Sequence, residues 1–194
     1  MTRRVTIIDA HPDPEQAHFG HALAEAYAQG ARESGHDVRL IRLGDLDVPL
    51  LRSQHEWEKG TLPPQLRESQ DAVGWAEHLV IIYPLWLGDM PAVLKAFLEQ
   101  VARPGFAFKY SSSGMGIQLL KGKSARVIVT MGMPAFVYRW YFGAHSLKSL
   151  KRNILNFVGI KPVRTTIIGR IAGISDAKHR QWLETIRTYG RQAL

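Results

Sequence analysis

The sequence predicts an α/β protein: a doubly wound, five-stranded parallel sheet of order 2-1-3-4-5 with helices on both faces. Three observations lead there. Five short apolar, β-branched runs recur along the 194 residues. Helical patterns separate them, and alternating strands and helices build a parallel sheet. Crossovers between parallel strands are right-handed, which leaves few topologies, and 2-1-3-4-5 is a common five-stranded one. The length suits a single domain over residues 1–194 with a sizeable core.

Each element has a local reason. "RRVTIIDA" (3–10) is a short β-branched run that suits a buried strand. Phe19, Leu23, Ala26, Tyr27 and Ala31 recur at helical spacing over 18–34, and Gly35 stops them. "DVRLIRL" (37–43) alternates as a second strand, and 44–62 reads as irregular. A helix is expected over 65–76, then a third strand in "HLVIIYP" (78–84). Pro91 is expected in the first turn of the next helix, with Asp89 as its cap and Leu94, Phe97, Leu98 and Val101 as its apolar stripe. "RPGFAFKYSSSGMG" (103–116) reads as a long loop. "ARVIVTM" (125–131) is a fourth strand, a helix follows over about 145–157, and "VRTTIIG" (163–169) is a fifth strand. A closing helix spans 176–193.

Composition excludes several chemistries. There are no cysteines, so disulfides, zinc ribbons and thiolate catalysis are ruled out. No apolar run approaches the roughly 20 residues of a membrane span, and "RRVTIID" has no signal-peptide character, so the expected location is cytoplasmic. The net charge of +8 is unevenly placed. Residues 100–175 hold 12 bases and no acid, while the remaining 13 bases face all 17 acids. Such a segment makes a positive surface suited to phosphates, an acidic partner or an anionic membrane face. Its bases are scattered over several elements without a nucleic-acid-binding motif, so no nucleic-acid partner is expected.

In the predicted fold, ligands bind beyond the carboxyl ends of the strands. Three loops should meet there: "DAHPDPEQAHFG", "YPLWLGDMP" and "TMGMPAFVY". The first lacks both GxGxxG and the Walker pattern, yet it runs into a helix whose free N–H groups would attract phosphate, with His11 and His18 as added donors. A turn-capping role for His11 is the alternative. A metal on His11, Asp13, His18 and His21 matches no known ligand spacing, and none is expected. The second loop offers Pro84, Leu85, Trp86 and Leu87 beside Gly88: an apolar wall with approachable backbone, suited to a flat heteroaromatic ring. Packing of Trp86 on a neighbouring loop or a second subunit is the alternative. The third brings Thr130, Met131 and Gly132, then Phe136, Tyr138, Trp140, Tyr141 and Phe142, rings that line a pocket or bury a dimer contact. A phosphate seat, a ring shelf and a second ring wall together describe a flavin site.

The motifs "AHPDP", "YPLWLGDMPAVLKAFLEQV", "PGFAFKY" and "TMGMPAFVYRWYFGAHSLKSLKRNILNFVGIKPVR" make residues 4–170 resemble the flavodoxin-2 family of NAD(P)H:quinone oxidoreductases. That family includes DT-diaphorase, bacterial drug-activity modulators and ancillary proteins of potassium-efflux channels. The resemblance implies a flavodoxin-like fold and a homodimer with a non-covalent FAD or FMN at the subunit interface. It also implies ping-pong two-electron transfer from NAD(P)H to a quinone, nitroaromatic or azo acceptor. His11 matches a histidine that touches flavin phosphate, and Phe19 and Ala22 match the helix start beside it. Pro84, Leu85, Trp86 and Leu87 match the shelf under the isoalloxazine, and Thr130 and Gly132 the loop at its pyrimidine edge. Tyr138 and His145 match a tyrosine and a histidine near the reacting ring, the expected catalytic pair. The chain departs from the pattern at His18, where Ser or Thr is usual, at Gly20 and at Leu87. Two other roles occur among such proteins or folds: a regulatory subunit on a potassium-efflux transporter, and a flavodoxin-type electron shuttle.

Overall fold

The computed structural model describes residues 1–111 and 116–194. The chain runs β1 (Arg4–Asp9), α1 (Phe19–Glu33), β2 (Asp37–Arg42), α2 (Gln54–Lys59), α3 (Arg67–Trp75) and β3 (His78–Pro84). It continues through α4 (Ala92–Val101), β4 (Phe108–Tyr110), β5 (Gly116–Gln118) and β6 (Ser124–Thr130). Then come α5 (His145–Ser149), α6 (Asn156–Val158), β7 (Val163–Ile168) and α7 (Asp176–Gln192). The main sheet has the order β2-β1-β3-β6-β7, with every neighbouring pair parallel. Its members are the five predicted strands, so the predicted order 2-1-3-4-5 is the observed one.

Strand periodicity sorts the core into two faces, because successive side chains point to opposite sides. Val5, Ile7, Val80, Ile82 and Ile128 pack under Leu23, Tyr27 and Ala31 of α1 and Ile186 of α7. Ile8, Leu79, Ile81, Val127 and Val129 pack under α3, α4 and the α5–α6 segment. Burying β1, β3 and β6 on both sides explains why they read as nearly continuous hydrocarbon.

Helices α1 and α7 meet backbone to backbone. A Cβ built on Gly30 would lie 1.9 Å from the Arg187 carbonyl oxygen, and one on Gly190 would lie 2.2 Å from that of Tyr27. Two glycines thus set the distance between the helices covering one face of the sheet. Glu33 reinforces the pair by bonding Arg187 and Arg191.

Several local expectations are corrected. The stretch 44–62 is not wholly irregular: Ser53 caps α2, its hydroxyl accepting the Glu56 N–H at 3.1 Å. Glu56 in turn accepts the Arg52 N–H at 2.9 Å, so the S-x-x-E spacing was a helix-start signal. The predicted loop 103–116 contains the antiparallel hairpin β4–β5, and residues 112–115 lie outside the described residues. Asp89 does not cap α4: its carboxylate accepts the adjacent Met90 N–H at 2.7 Å, and Pro91 stands at the cap position, ahead of the first turn. The predicted helix over 145–157 is helical, but Leu150–Leu155 form a wide π-type turn between α5 and α6. No helix among the described residues is long and apolar enough to cross a membrane.

One buried histidine ties stability to pH. His78 begins β3, is 1% exposed, and has its Nδ1 2.7 Å from the Ser124 hydroxyl, while its Nε2 has no partner. Burial, then the positive charges of Arg3, Arg126 and Arg164, lower its pKa from 6.5 to about 3. The unfolded chain therefore takes this proton first. The contribution is fully present above about pH 6.5 and is lost as the pH falls toward 3, at about 1.4 kcal/mol per unit of difference. The expected result is a melting temperature that falls over this window, and less steeply in His78→Asn, measured by thermal denaturation from pH 7.5 to 4.5. Gly30→Ala is expected to cost about 1–3 kcal/mol by overpacking, lowering the melting temperature by roughly 2–4 °C per kcal/mol in a chain of this size.

Candidate functional site

β1 and β3 are neighbours, β2 lies on one side of them and β6 on the other, so the chain's winding reverses beside β1. The loops leaving β1, β3 and β6 meet above this point. His11 of the first approaches Trp86 of the second edge to face, with ring centroids 5.8 Å apart. The Leu85 N–H of the second donates to the Thr130 carbonyl at 2.8 Å, where the third begins.

The first loop is organised by imidazoles and carboxylates. Asp9, the last residue of β1, is 1% exposed. Its carboxylate accepts from the His21 Nδ1–H at 2.5 Å and from the His11 backbone N–H at 3.3 Å. The other His21 nitrogen faces the Asp13 carbonyl at 3.0 Å. Both ring nitrogens thus face acceptors, which is the bonding of an imidazolium. Burial opposes that charge, but the Asp9 and Asp13 bonds outweigh it and the His21 pKa is raised. His11 is 7% exposed and stacks on His18, with centroids 3.6 Å apart and ring planes at 21°. Burial, then the nearby His18, lowers its pKa. The His18 Nε2–H donates to the Asp13 carboxylate at 2.9 Å, and this bond holds the Asp13 pKa low. His18 stands at the cap position of α1 without capping a backbone N–H through its side chain.

The second loop is a two-residue reversal. Trp86 and Asp89 exchange two backbone hydrogen bonds, each 2.9 Å. Between them Leu87 has φ 48° and Gly88 has φ 81°. Left-handed backbone suits Gly88 and is strained for Leu87, a type of strain that gathers at functional positions. Its effect is to lift Leu87 clear of the protein, beside a half-exposed Trp86. In the third loop Gly132 is exposed, and nothing lies within 4 Å of where a Cβ would stand. Beyond it, "VYRWY" (Val137–Tyr141) winds as a π-type turn, which turns Phe136, Trp140 and Tyr141 outward. This turn is why the spacing of those rings fits neither an α-helix nor a strand.

Of the residues singled out in the sequence, His11, His18, Pro84, Leu85, Trp86, Leu87, Thr130 and Gly132 fall on the three strand tips or the loops leaving them. Ala22 lies exposed in the first turns of α1. Phe19 leans away from the tips, its ring meeting His179 of α7 at 4.8 Å. The Met131 side chain is buried in the core. Tyr138 is 1% exposed, and its hydroxyl accepts the Leu147 N–H at 3.2 Å. It therefore supports the start of α5 and does not face the open shelf. His145 is exposed and folds toward Gly143, where a Cβ would lie 3.0 Å from its Nε2. The sequence reading missed Asp9 as an organiser of the first loop; its signal was an acid closing a hydrocarbon strand. Two concavities, of about 630 Å³ between β2 and α3 and about 440 Å³ between α4 and the β4–β5 hairpin, are lined by none of the residues of the loops leaving β1, β3 and β6. With Trp86 half-exposed and Leu87 fully exposed, the three tips form an open shelf.

Known proteins resemble the chain over nearly its whole length. An uncharacterized NAD(P)H oxidoreductase of Haemophilus influenzae is 30% identical over 182 residues, covering 92% of this chain and 89% of that protein. The FMN-dependent NADH:quinone oxidoreductase of Beijerinckia indica is 31% identical over 186 residues, covering 89% of each. Among solved structures, the NAD(P)H:quinone oxidoreductase of Methanothermobacter marburgensis superposes with a TM-score of 0.80 at 28% identity, over 99% of this chain and 97% of that one. The model of the Flavodoxin_2 family, described as a flavodoxin-like fold, matches residues 3–190. On its strand order, its converging loops and this match, the chain belongs to the Flavodoxin_2 family.

Proposed function

We propose that the chain is a flavin-dependent NAD(P)H dehydrogenase that reduces a quinone or a similar flat acceptor such as a nitroaromatic or azo compound. The observation that carries this reading is the exposed apolar ledge of Trp86 and Leu87 beside the His11–His18 entrance to α1. The one place offers hydrocarbon for a planar ring and polar hydrogen for an anionic tail. The similarity to NAD(P)H- and quinone-linked oxidoreductases supports the same reading.

The residues present fit a flavin. Trp86 and Leu87 would bear the ring face, and the exposed backbone at Gly132 would meet its polar edge. His11, His18 and the free N–H groups at the start of α1 would hold the phosphate. A bound flavin would supply two-electron redox chemistry between NAD(P)H and the acceptor. The chain's own task is to seat, align and keep water from the ring. To His145, which is exposed at the start of α5, we assign the donation of a proton to an acceptor oxygen, and to Tyr138 an indirect role, holding the first turn of α5 through the Leu147 N–H. The shelf is open in one chain and bordered by the exposed rings of Phe136, Trp140 and Tyr141. We assign its cover to a second copy, as a homodimer with the flavin between subunits, each copy contributing a single flavin-binding domain over 1–194.

Purification with bound or added flavin, followed by turnover of NADH and NADPH with a quinone, tests the proposal. A chain that stays colourless after addition of FMN and FAD overturns it. Trp86→Ala is expected to weaken flavin or acceptor binding by at least about 1 kcal/mol, the scale of one lost aromatic contact, read by flavin titration and by KM. His145→Ala is expected to lower kcat while flavin content stays at the wild-type level. Undiminished turnover would remove His145 from the reaction.

A further inference from the structure

We propose that the chain docks on anionic membrane surfaces through the turn Val137–Tyr141 and the outer side of the α5–α6 segment that follows it. The turn holds its rings out. Trp140 is 81% exposed and Tyr141 82%, with Phe136 exposed beside them and Phe142 meeting Tyr141 at 5.0 Å between centroids. Apolar rings are costly to leave in water, and so large an exposed group marks a surface that meets a partner. The turn is also firmly seated. Tyr138 is buried beneath it, the Phe142 N–H donates to the Val137 carbonyl at 3.2 Å, and the Ala144 N–H donates to the Tyr138 carbonyl at 3.0 Å. A Cβ built on Gly169, just past β7, would lie 2.4 Å from the Ala135 nitrogen, so the stretch ahead of the turn is clamped on the end of β7.

Bases accompany the rings. Arg139 lies within the turn and is exposed. The α5–α6 segment buries Ser146, Leu147, Leu150 and Leu155 and exposes Lys148, Lys151 and Arg152. Arg170 is exposed past β7, and its N–H donates to the Met133 carbonyl at 3.1 Å, which brings it to the same loop. Elsewhere in the chain several surface bases meet acids: Arg4 meets Glu77, Arg42 meets Glu25, Lys95 meets Glu99 and Arg187 meets Glu33. Among the described residues, none of Arg139, Lys148, Lys151, Arg152 and Arg170 is in an ion pair, and residues 100–175 supply no acid. Rings beside unpaired bases are the two halves of an interfacial membrane contact. Trp and Tyr settle at headgroup level, apolar body inward and polar tip toward water. Lys and Arg are drawn to acidic headgroups, each worth about fivefold in partition. A second copy docked through this same patch would set like charges against each other. The second copy assigned to the shelf is a separate contact, and the test reads both. Single-stranded nucleic acid also takes rings and bases, and is one outcome of the test.

Co-sedimentation of the full-length, flavin-supplemented chain with lipid vesicles tests this. Binding is expected on vesicles of about one-third phosphatidylglycerol in phosphatidylcholine at low salt, and to be at least about tenfold weaker on phosphatidylcholine alone. Salt at about 1 M, where the screening length is about 3 Å, is expected to weaken it likewise. The double variant Trp140→Ser, Tyr141→Ser is expected to lower partition at least about tenfold, since binding scales with the apolar area buried. The triple variant Lys148→Gln, Lys151→Gln, Arg152→Gln is expected to lower it about a hundredfold. All five positions are exposed, so the core is left intact. No partition of the wild-type chain onto anionic vesicles, unchanged partition in either variant, or retention on single-stranded DNA in place of vesicles overturns the proposal. Sedimentation velocity in which the double variant turns a dimer into a monomer overturns it too, by assigning the rings to the contact between copies. These readouts contain no turnover step, so the flavin reading stands or falls separately.

Discussion

The buried carboxylate of Asp9 is the constraint on which the site depends. A charge at the end of a hydrocarbon strand is costly unless it is bonded, and Asp9 meets that demand with the His21 ring and the His11 backbone. The first bond fixes where α1 begins relative to β1; the second fixes the turn out of the strand. The stacking of His11 on His18 and its edge contact with Trp86 follow from those two anchors. α1 is held again in its last turn, where Gly30 lies against the α7 backbone. The start of the helix is thus set by electrostatics and its tilt by close packing, two independent restraints on one rigid element.

The sheet was legible because hydrophobic runs carry their own register. A strand buried on both faces shows as unbroken hydrocarbon, and β1, β3 and β6 did so. The helix boundaries were less legible where the deciding contacts are short-range and polar. Asp89 looked like a helix cap in sequence, but its backbone is engaged with Trp86 and its carboxylate with its own neighbour. Ser53 and Glu56 did cap a helix, with too weak an apolar pattern around them to draw notice. The wide turns at Val137–Tyr141 and Leu150–Leu155 have no period that a sequence can announce.

The site was legible as three loops and a type of surface, less so as individual roles. Trp86 and Leu87 could be placed because a large apolar pair at a strand tip has few uses. Tyr138 and His145 could not be separated in sequence, since both belong to one aromatic stretch. In three dimensions one is enclosed beneath α5 and the other is open to solvent. Asp9 was passed over because an acid at a strand end is ordinary until its partner, 12 residues away on a helix, is seen.

The reversal at Leu87 and Gly88 has an evolutionary corollary. It closes through main-chain bonds between Trp86 and Asp89, so its shape owes little to what the Trp86 and Leu87 side chains are. Selection can exchange those two groups, narrowing or widening the range of molecules accommodated, while the surrounding architecture stays as it is. A platform whose form and chemistry vary separately is a ready starting point for descendants with new tastes.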